Sequence, residues 1–287
     1  MKIAFEFVHK CSDNLLFCSA MLNKKPLQTI ALLSVMVLFF SFTTENIPVS
    51  TNDVNLDFHN QEHIISVKGK PTAINFWEQY VYSNYECLGD TTLTYEAFYN
   101  GLKGYYALKE KGILKQEGVL TIVDFTQHSS KERMYIINVN TFEIIKKTLC
   151  SHGKNTGAAM ATSFSNTNGS LQSSLGFFLT AETYSGKFDY AMRLDGLEKA
   201  NSRARERGIV VHGANYATPE FLERNGGVLG RSYGCPALPK DDATELIDEI
   251  KEGTCFFIYS NDFNYLQSSD VINSYRYEDI IDELNKV

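Results

Sequence analysis

A mainly β fold with few helices, preceded by a short helical segment, is the architecture this sequence predicts. Three observations predict it. From Gly118 onward the chain breaks into short β-branched and aromatic runs separated by polar turns. Before Gly118 the apolar residues recur at helical spacing instead. Between Ile209 and Pro239, a strand-like run ending in His212-Gly213 is followed by a glycine-spaced turn that presents Cys235.

In chain order, Lys24-Lys25-Pro26 precedes an apolar run from Leu27 to Phe42, and polar Thr43–Asn46 follows. A basic start and an apolar run of this length predict a secretory signal or an uncleaved amino-terminal anchor over 1–43. The run is short for a spanning helix, which needs roughly 20 residues. Met21 stands where such a signal begins, so residues 1–20 are read as a start-site artefact. Residues 44–70 are polar and aperiodic, a linker. In 71–115 a helical pattern runs through Ile74–Tyr82 and, more strongly, through Thr94–Lys109. There Tyr95, Phe98, Leu102, Tyr105 and Tyr106 share one face. Such a stripe packs on a sheet more often than it binds sugars.

Within 116–260, strands are expected at 119–125, 133–139, 142–149, 174–181, 190–194, 208–212 and 254–259, mainly antiparallel. Helices are expected at 197–207 and 241–252. Residues 261–287 read as a carboxy-terminal tail.

Composition narrows the function. With 287 residues, 44% of them hydrophobic, the chain can bury a sizeable core. Its net charge of −7 argues against nucleic acid, which calls for a basic face. Loss of 1–43 would carry that charge to −9. No P-loop, G-x-G-x-x-G, H-E-x-x-H or C-x-x-C pattern occurs, and the six histidines lack metal-ligand spacing, so no cofactor or metal is expected. Cys87, Cys150, Cys235 and Cys255 lie beyond the leader. Cys87–Cys150 and Cys150–Cys255 are both open as pairings.

The chemistry concentrates in 209–239. A thiol and an imidazole 23 positions apart, each beside glycine, suit a nucleophile with its base and backbone N–H groups that approach a reacting carbonyl. Further pieces accompany them: Ser151-His152-Gly153-Lys154-Asn155-Thr156-Gly157, Phe164-Ser165-Asn166, Ser173–Gly176, Leu194–Glu198, Ile209–Ala214 and Gly230–Pro236. Together and in this order they resemble the murein L,D-transpeptidase catalytic domain, the YkuD-like superfamily in its exported branch.

The resemblance implies a β-sandwich-type catalytic domain that acts on peptidoglycan stem peptides through a thioester. It implies Cys235 as nucleophile and His212 as base. Gly213 orients the imidazole through its backbone, and the N–H groups of Tyr233, Gly234 and Cys235 form the oxyanion hole. It also brings Arg231, Ser232, His152 and Asn166 forward as substrate contacts, with Arg231 offered to a stem carboxylate. A partner imidazolium and turn N–H groups are expected to lower the thiol pKa. Two positions depart from the family: Tyr233 stands where histidine is commoner, and Pro236 where a polar or basic residue is. The bland alternatives are an inert buried thiol at Cys235, a core histidine at His212, a strand cap at His152, loop hydrogen bonds at Asn166 and Ser232, and a surface ion pair at Arg231.

Transpeptidation leads the readings. An L,D-carboxypeptidase would use the same bond, and a non-catalytic wall-binding module would keep the fold. A papain-like endopeptidase is disfavoured, because there the cysteine precedes the histidine. The expected location is the periplasm or cell envelope.

Overall fold

A computed structural model of the chain describes residues 73–187 and 189–274. The expected leader (1–43), the linker (44–70) and the terminal stretch beyond 274 lie outside the described residues. Among the described residues no helix is long and apolar enough to cross a membrane.

Two helices come first, α1 (Ala73–Cys87) and α2 (Tyr95–Glu110). Eight strands follow: β1 (Val119–Asp124), β2 (Met134–Asn138), β3 (Glu143–Thr148), β4 (Gly176–Gly186), β5 (Asp189–Gly196), β6 (Val210–Ala214), β7 (Ala237–Pro239) and β8 (Cys255–Tyr259). The fold is mainly β with a few helices, as expected. All eight strands join one hydrogen-bonded sheet in the order β3-β2-β1-β8-β4-β5-β6-β7. β8, the last strand, inserts between β1 and β4, parallel to the first and antiparallel to the second. Its sequence, Cys-Phe-Phe-Ile-Tyr, is buried at every position, as a central strand covered on both faces requires.

The aromatic stripe of α2 packs on this centre. Phe98 and Leu102 are fully buried, and the helix contacts β1 and β8. Gly104 permits the close approach, because a Cβ there would overlap the Phe177 ring. Phe177 in turn stacks on Phe257 with ring centroids 4.0 Å apart. α1 lies against α2 through Trp77, which meets Tyr99 and Tyr106 edge-on. The Tyr80 and Tyr106 hydroxyls hydrogen-bond at 2.8 Å.

The helix expected over 197–207 is a run of turns. Asn201 goes inward: its Nδ2 donates to the Leu175 and Phe177 carbonyls, and its Oδ1 accepts from the Glu198 N–H. An asparagine that bonds backbone in this way competes with the helical ladder. Glu198, also buried, accepts from the Phe177 N–H (2.7 Å), the Tyr265 hydroxyl (2.9 Å) and the Ser269 hydroxyl. That carboxylate ties two short carboxy-terminal helices, Phe263–Ser268 and Asp270–Asn273, to the start of β4.

The helix expected at 241–252 is present as Ala243–Ile250. Besides the two short carboxy-terminal helices, which fall in the expected tail, further elements escaped the sequence. β7 follows Pro236 and ends in Pro239 at the sheet edge, where proline's missing N–H is tolerated. A one-and-a-half-turn helix, Pro219–Arg224, is capped by Thr218, whose Oγ1 accepts from the Phe221 N–H at 3.2 Å. Thr218-Pro219 is the cap-and-N1 signal that marks such a start.

Candidate active site

The site is built where β6 meets β7. Parallel pairing places His212 beside Ala237, and on its other side His212 pairs with Ala191 of β5. Carried two residues back, the same register brings Cys235 next to Val210. The thiol confirms it: Sγ accepts from the Val210 N–H at 3.5 Å and faces the Gly208 carbonyl at 3.7 Å. Cys235, in the bend just before β7, therefore lies alongside β6 two residues before the His212 level. No hydrogen bond joins Sγ to the imidazole among the described contacts.

The His212 Nδ1 donates to the Gly213 carbonyl at 3.0 Å, which places the lone pair on Nε2. Gly213 thus fixes the ring through its carbonyl. It is also where the chain passes close to the helix Ala243–Ile250, since a Cβ there would come within 2.9 Å of that of Ala243. Burial lowers the His212 pKa, so the ring is neutral at neutral pH.

The expected lowering of the thiol pKa is not found. Burial raises it, and the Val210 N–H and the Arg207 guanidinium oppose that rise only in part. The resting pair is a neutral thiol and a neutral imidazole, not an ion pair. Cys235 is still unlike the other interior cysteines: Cys150 and Cys255 are wholly buried, and Cys150 is pushed up to about 12. No disulfide joins any of the described cysteines to another, so neither candidate pairing is present.

The turn before the thiol is held by Ser232. Its hydroxyl donates to the Cys235 carbonyl at 2.6 Å and accepts from the Gly234 N–H at 3.0 Å. Ser232, expected as a substrate contact, is 4% exposed and shapes the turn from inside. The same bond occupies the Gly234 N–H expected in the oxyanion hole. The N–H groups of Tyr233 and Cys235 make no hydrogen bond among the described residues. Gly234 itself adopts φ +127°, and a Cβ there would lie 2.8 Å from the Gln172 carbonyl oxygen. Flanking backbone clamps the turn: Ser151 bridges Ala237, and Gly153 bridges Ser232.

Two more expected contacts are tied into their surroundings. His152 is 1% exposed; Arg133 donates to its Nδ1 at 2.7 Å, and its Nε2 donates to the Gly157 carbonyl at 3.2 Å. Desolvation first and Arg133 second hold its pKa at about 4. The ring is a neutral strut with both nitrogens spoken for. Asn166 spends its amide on the turn run, donating to the Lys199 carbonyl and Ser202 hydroxyl and accepting from the Arg203 N–H.

Arg231 and Tyr233 do face solvent, and Tyr233 is 72% exposed. Arg231 lines a pocket of about 370 Å³ with Lys154, Phe221, Val228 and Leu229. Neither Arg231 nor Lys154 has an acidic partner among the described residues. A second pocket, about 250 Å³, opens beside His212, Asn215, Tyr216 and Lys240. Cys235 lines neither. Sequence reasoning passed over Lys154, although it belongs to the Ser151–Gly157 piece. Arg207 was also missed, hidden in an expected helix; its place directly before Gly208, just ahead of β6, was the available signal.

This sheet, with a histidine in the middle of β6 beside a cysteine turn, defines a β domain that sets an imidazole near a thiol. Residues 90–259 match the family profile of the L,D-transpeptidase catalytic domain (YkuD_2), and the chain belongs to that family. Solved structures similar to it include an L,D-transpeptidase from Mycobacterium smegmatis, at 16% identity over 50% of this chain and 59% of that one, with a TM-score of 0.32. Another is an L,D-transpeptidase from Mycobacterium tuberculosis H37Rv (15%, 50% and 58%, 0.33). A third is L,D-transpeptidase 3 from Mycobacterium tuberculosis with a faropenem-derived adduct (15%, 50% and 60%, 0.33). The chain spans about three fifths of the length of these structures. No curated protein matches its sequence.

Proposed function

We propose that the chain is a cysteine-dependent L,D-transpeptidase acting on peptidoglycan stem peptides. The observation that carries the reading is the His212–Gly213 hydrogen bond. Within a domain of this family, it leaves an imidazole whose Nε2 can take a proton, two residues along β6 from the level of a cysteine in a glycine turn.

In the proposed reaction Sγ swings from the Gly208 carbonyl toward His212 and attacks the carbonyl carbon of the L-centred residue. The thiol proton passes to Nε2. The S–C bond forms, the C–N bond to the terminal D-residue breaks, and Nε2 returns the proton to the departing amine. An amine of a second stem then attacks the thioester. A C–N bond replaces the C–S bond, and the amine's proton goes back to the thiolate by way of His212. The Tyr233 and Cys235 N–H groups are the donors left for the oxyanion. The proton transfer requires the pair to close up, as catalytic hydrogen bonds do in the Michaelis complex. Lys154 and Arg231, uncompensated in an acidic protein, would hold a stem carboxylate in their pocket.

Water in place of the amine would make the enzyme an L,D-carboxypeptidase. Export to the periplasm or envelope by the amino-terminal segment belongs to the same reading, because the polymer lies outside the membrane. Incubation with isolated sacculi and mass spectrometry of the muropeptides is the test. New cross-links mean transfer and tripeptides alone mean hydrolysis. Unchanged muropeptides with retained sacculus binding mean a wall-binding module.

A further inference from the structure

Arg207 ends the turn run and directly precedes the Gly208–Val210 backbone on which the Cys235 thiol rests. It is half-buried and makes four hydrogen bonds, all to neutral acceptors. Nη1 donates to the Ser165 carbonyl (2.8 Å) and Ser174 hydroxyl (2.6 Å). Nη2 donates to the Ser170 hydroxyl (3.1 Å) and Gln172 carbonyl (2.7 Å). A partly buried guanidinium ordinarily finds a carboxylate. None among the described residues pairs with this one, and neighbouring Glu206 is engaged by Arg203 at 3.2 Å. The acidic group within its electrostatic reach is the Cys235 thiol, whose charge it would favour once the proton leaves.

The guanidinium also abuts the nucleophile turn. A Cβ on Gly234 would lie 3.4 Å from Nη2 and 2.8 Å from the very Gln172 carbonyl that Nη2 holds. Ser173, on the same loop, donates to the Gly234 carbonyl at 3.2 Å. Arg207 therefore grips the loop on which Gly234 sits and brings a full positive charge against the turn.

We infer that Arg207 is a positioning residue of this site, seating the Cys235 turn on the 165–174 loop and supplying the cation that makes loss of the thiol proton easier. The inference rests on Cys235 being the nucleophile. The other titratable groups around the thiol do not duplicate this service. Tyr216 is kept neutral by burial, which raises its phenol well above the ordinary value, and His212 two positions along β6 is neutral at rest.

The test is the pH profile of Cys235 alkylation by iodoacetamide, read by peptide mass mapping so that Cys87, Cys150 and Cys255 do not contribute. For R207Q the Cys235 midpoint rises by about one unit, the lower end of what an opposite charge at close range supplies. Below the midpoint, alkylation at a fixed pH then slows about tenfold. R207K keeps the charge but cannot fill four acceptors; its midpoint stays near that of the wild type while its thermal stability drops. An R207Q profile that overlies the wild type in a folded protein overturns the inference. If R207Q does not fold, R207K decides: a midpoint near the wild type upholds the role of charge, and one displaced by a full unit overturns it. Alkylation reads the thiol whether or not cross-links form, so failure of the transpeptidase reading and failure of this inference are separate results.

Discussion

Ser232→Ala is the most informative single change, because one hydroxyl shapes the whole turn. It removes the 2.6 Å bond to the Cys235 carbonyl and the 3.0 Å bond from the Gly234 N–H. Both groups are buried, and the cavity left by one oxygen is too small for a bridging water with several partners. Two lost hydrogen bonds at about 1 kcal/mol each, with part of the desolvation cost of the orphaned groups, come to about 2–3 kcal/mol of stability. The chemical effect is larger than the structural one suggests. A nucleophile displaced by about 1 Å costs on the order of 100-fold in rate. Urea denaturation gives the first quantity, with an unchanged m-value showing that both states are otherwise the same. Release of the terminal D-amino acid from a tetrapeptide gives the second. A folded S232A within about 0.5 kcal/mol of the wild type and fully active would refute this account of the turn.

Other expectations follow from the same geometry. His152 sits at about 4 in the fold against an ordinary 6.5, so the unfolded chain takes up its proton first as pH falls. Stability is therefore constant with respect to this group above pH 6.5 and declines between 6.5 and 4, by about 3 kcal/mol in total. His152→Gln, which keeps an acceptor for Arg133, should flatten that slope in pH-dependent denaturation. With His212 lowered and the Cys235 thiol raised, kcat/KM should lose activity on the acid side only below pH 6.5, and a protonated thiol at rest should persist to above pH 9. Arg231→Glu, which puts a like charge where a stem carboxylate is proposed to bind, should raise KM about tenfold or more with little change in kcat. Gly104→Ala should cost about 1–3 kcal/mol in thermal or chemical denaturation, since its methyl would meet the Phe177 ring at the helix–sheet contact.

The sheet was legible wherever a strand carries its own β-branched run. Val119–Asp124 and Cys255–Tyr259 declare themselves, although nothing local says that they pair with each other in parallel. β7 was not legible, because three residues that follow one proline and end in another do not read as a strand. The 197–207 segment was misread for a specific reason. Its Glu, Lys, Ala and Arg residues have high helix propensity, and the inward bonds of Asn201 and Glu198 that overrule it join distant parts of the chain. At the site, the positions of Cys235, His212 and Gly213 followed from the motifs. Protonation did not, since whether a thiol beside an imidazole is lowered by it or raised by burial depends on depth and separation. His152 and Asn166 look like site residues because they belong to the family's pieces. Their hydrogen bonds tie them into the framework, which no local pattern announces.

The central claim is that Cys235 accepts the acyl group. Intact-protein mass spectrometry after brief mixing with a tetrapeptide donor, followed by peptide mapping, addresses it directly. The account predicts an added mass equal to the donor less its terminal D-residue, located on Cys235 and absent from Cys235→Ala. Cross-linking activity retained by Cys235→Ala, or an adduct mapped to another residue, would contradict it.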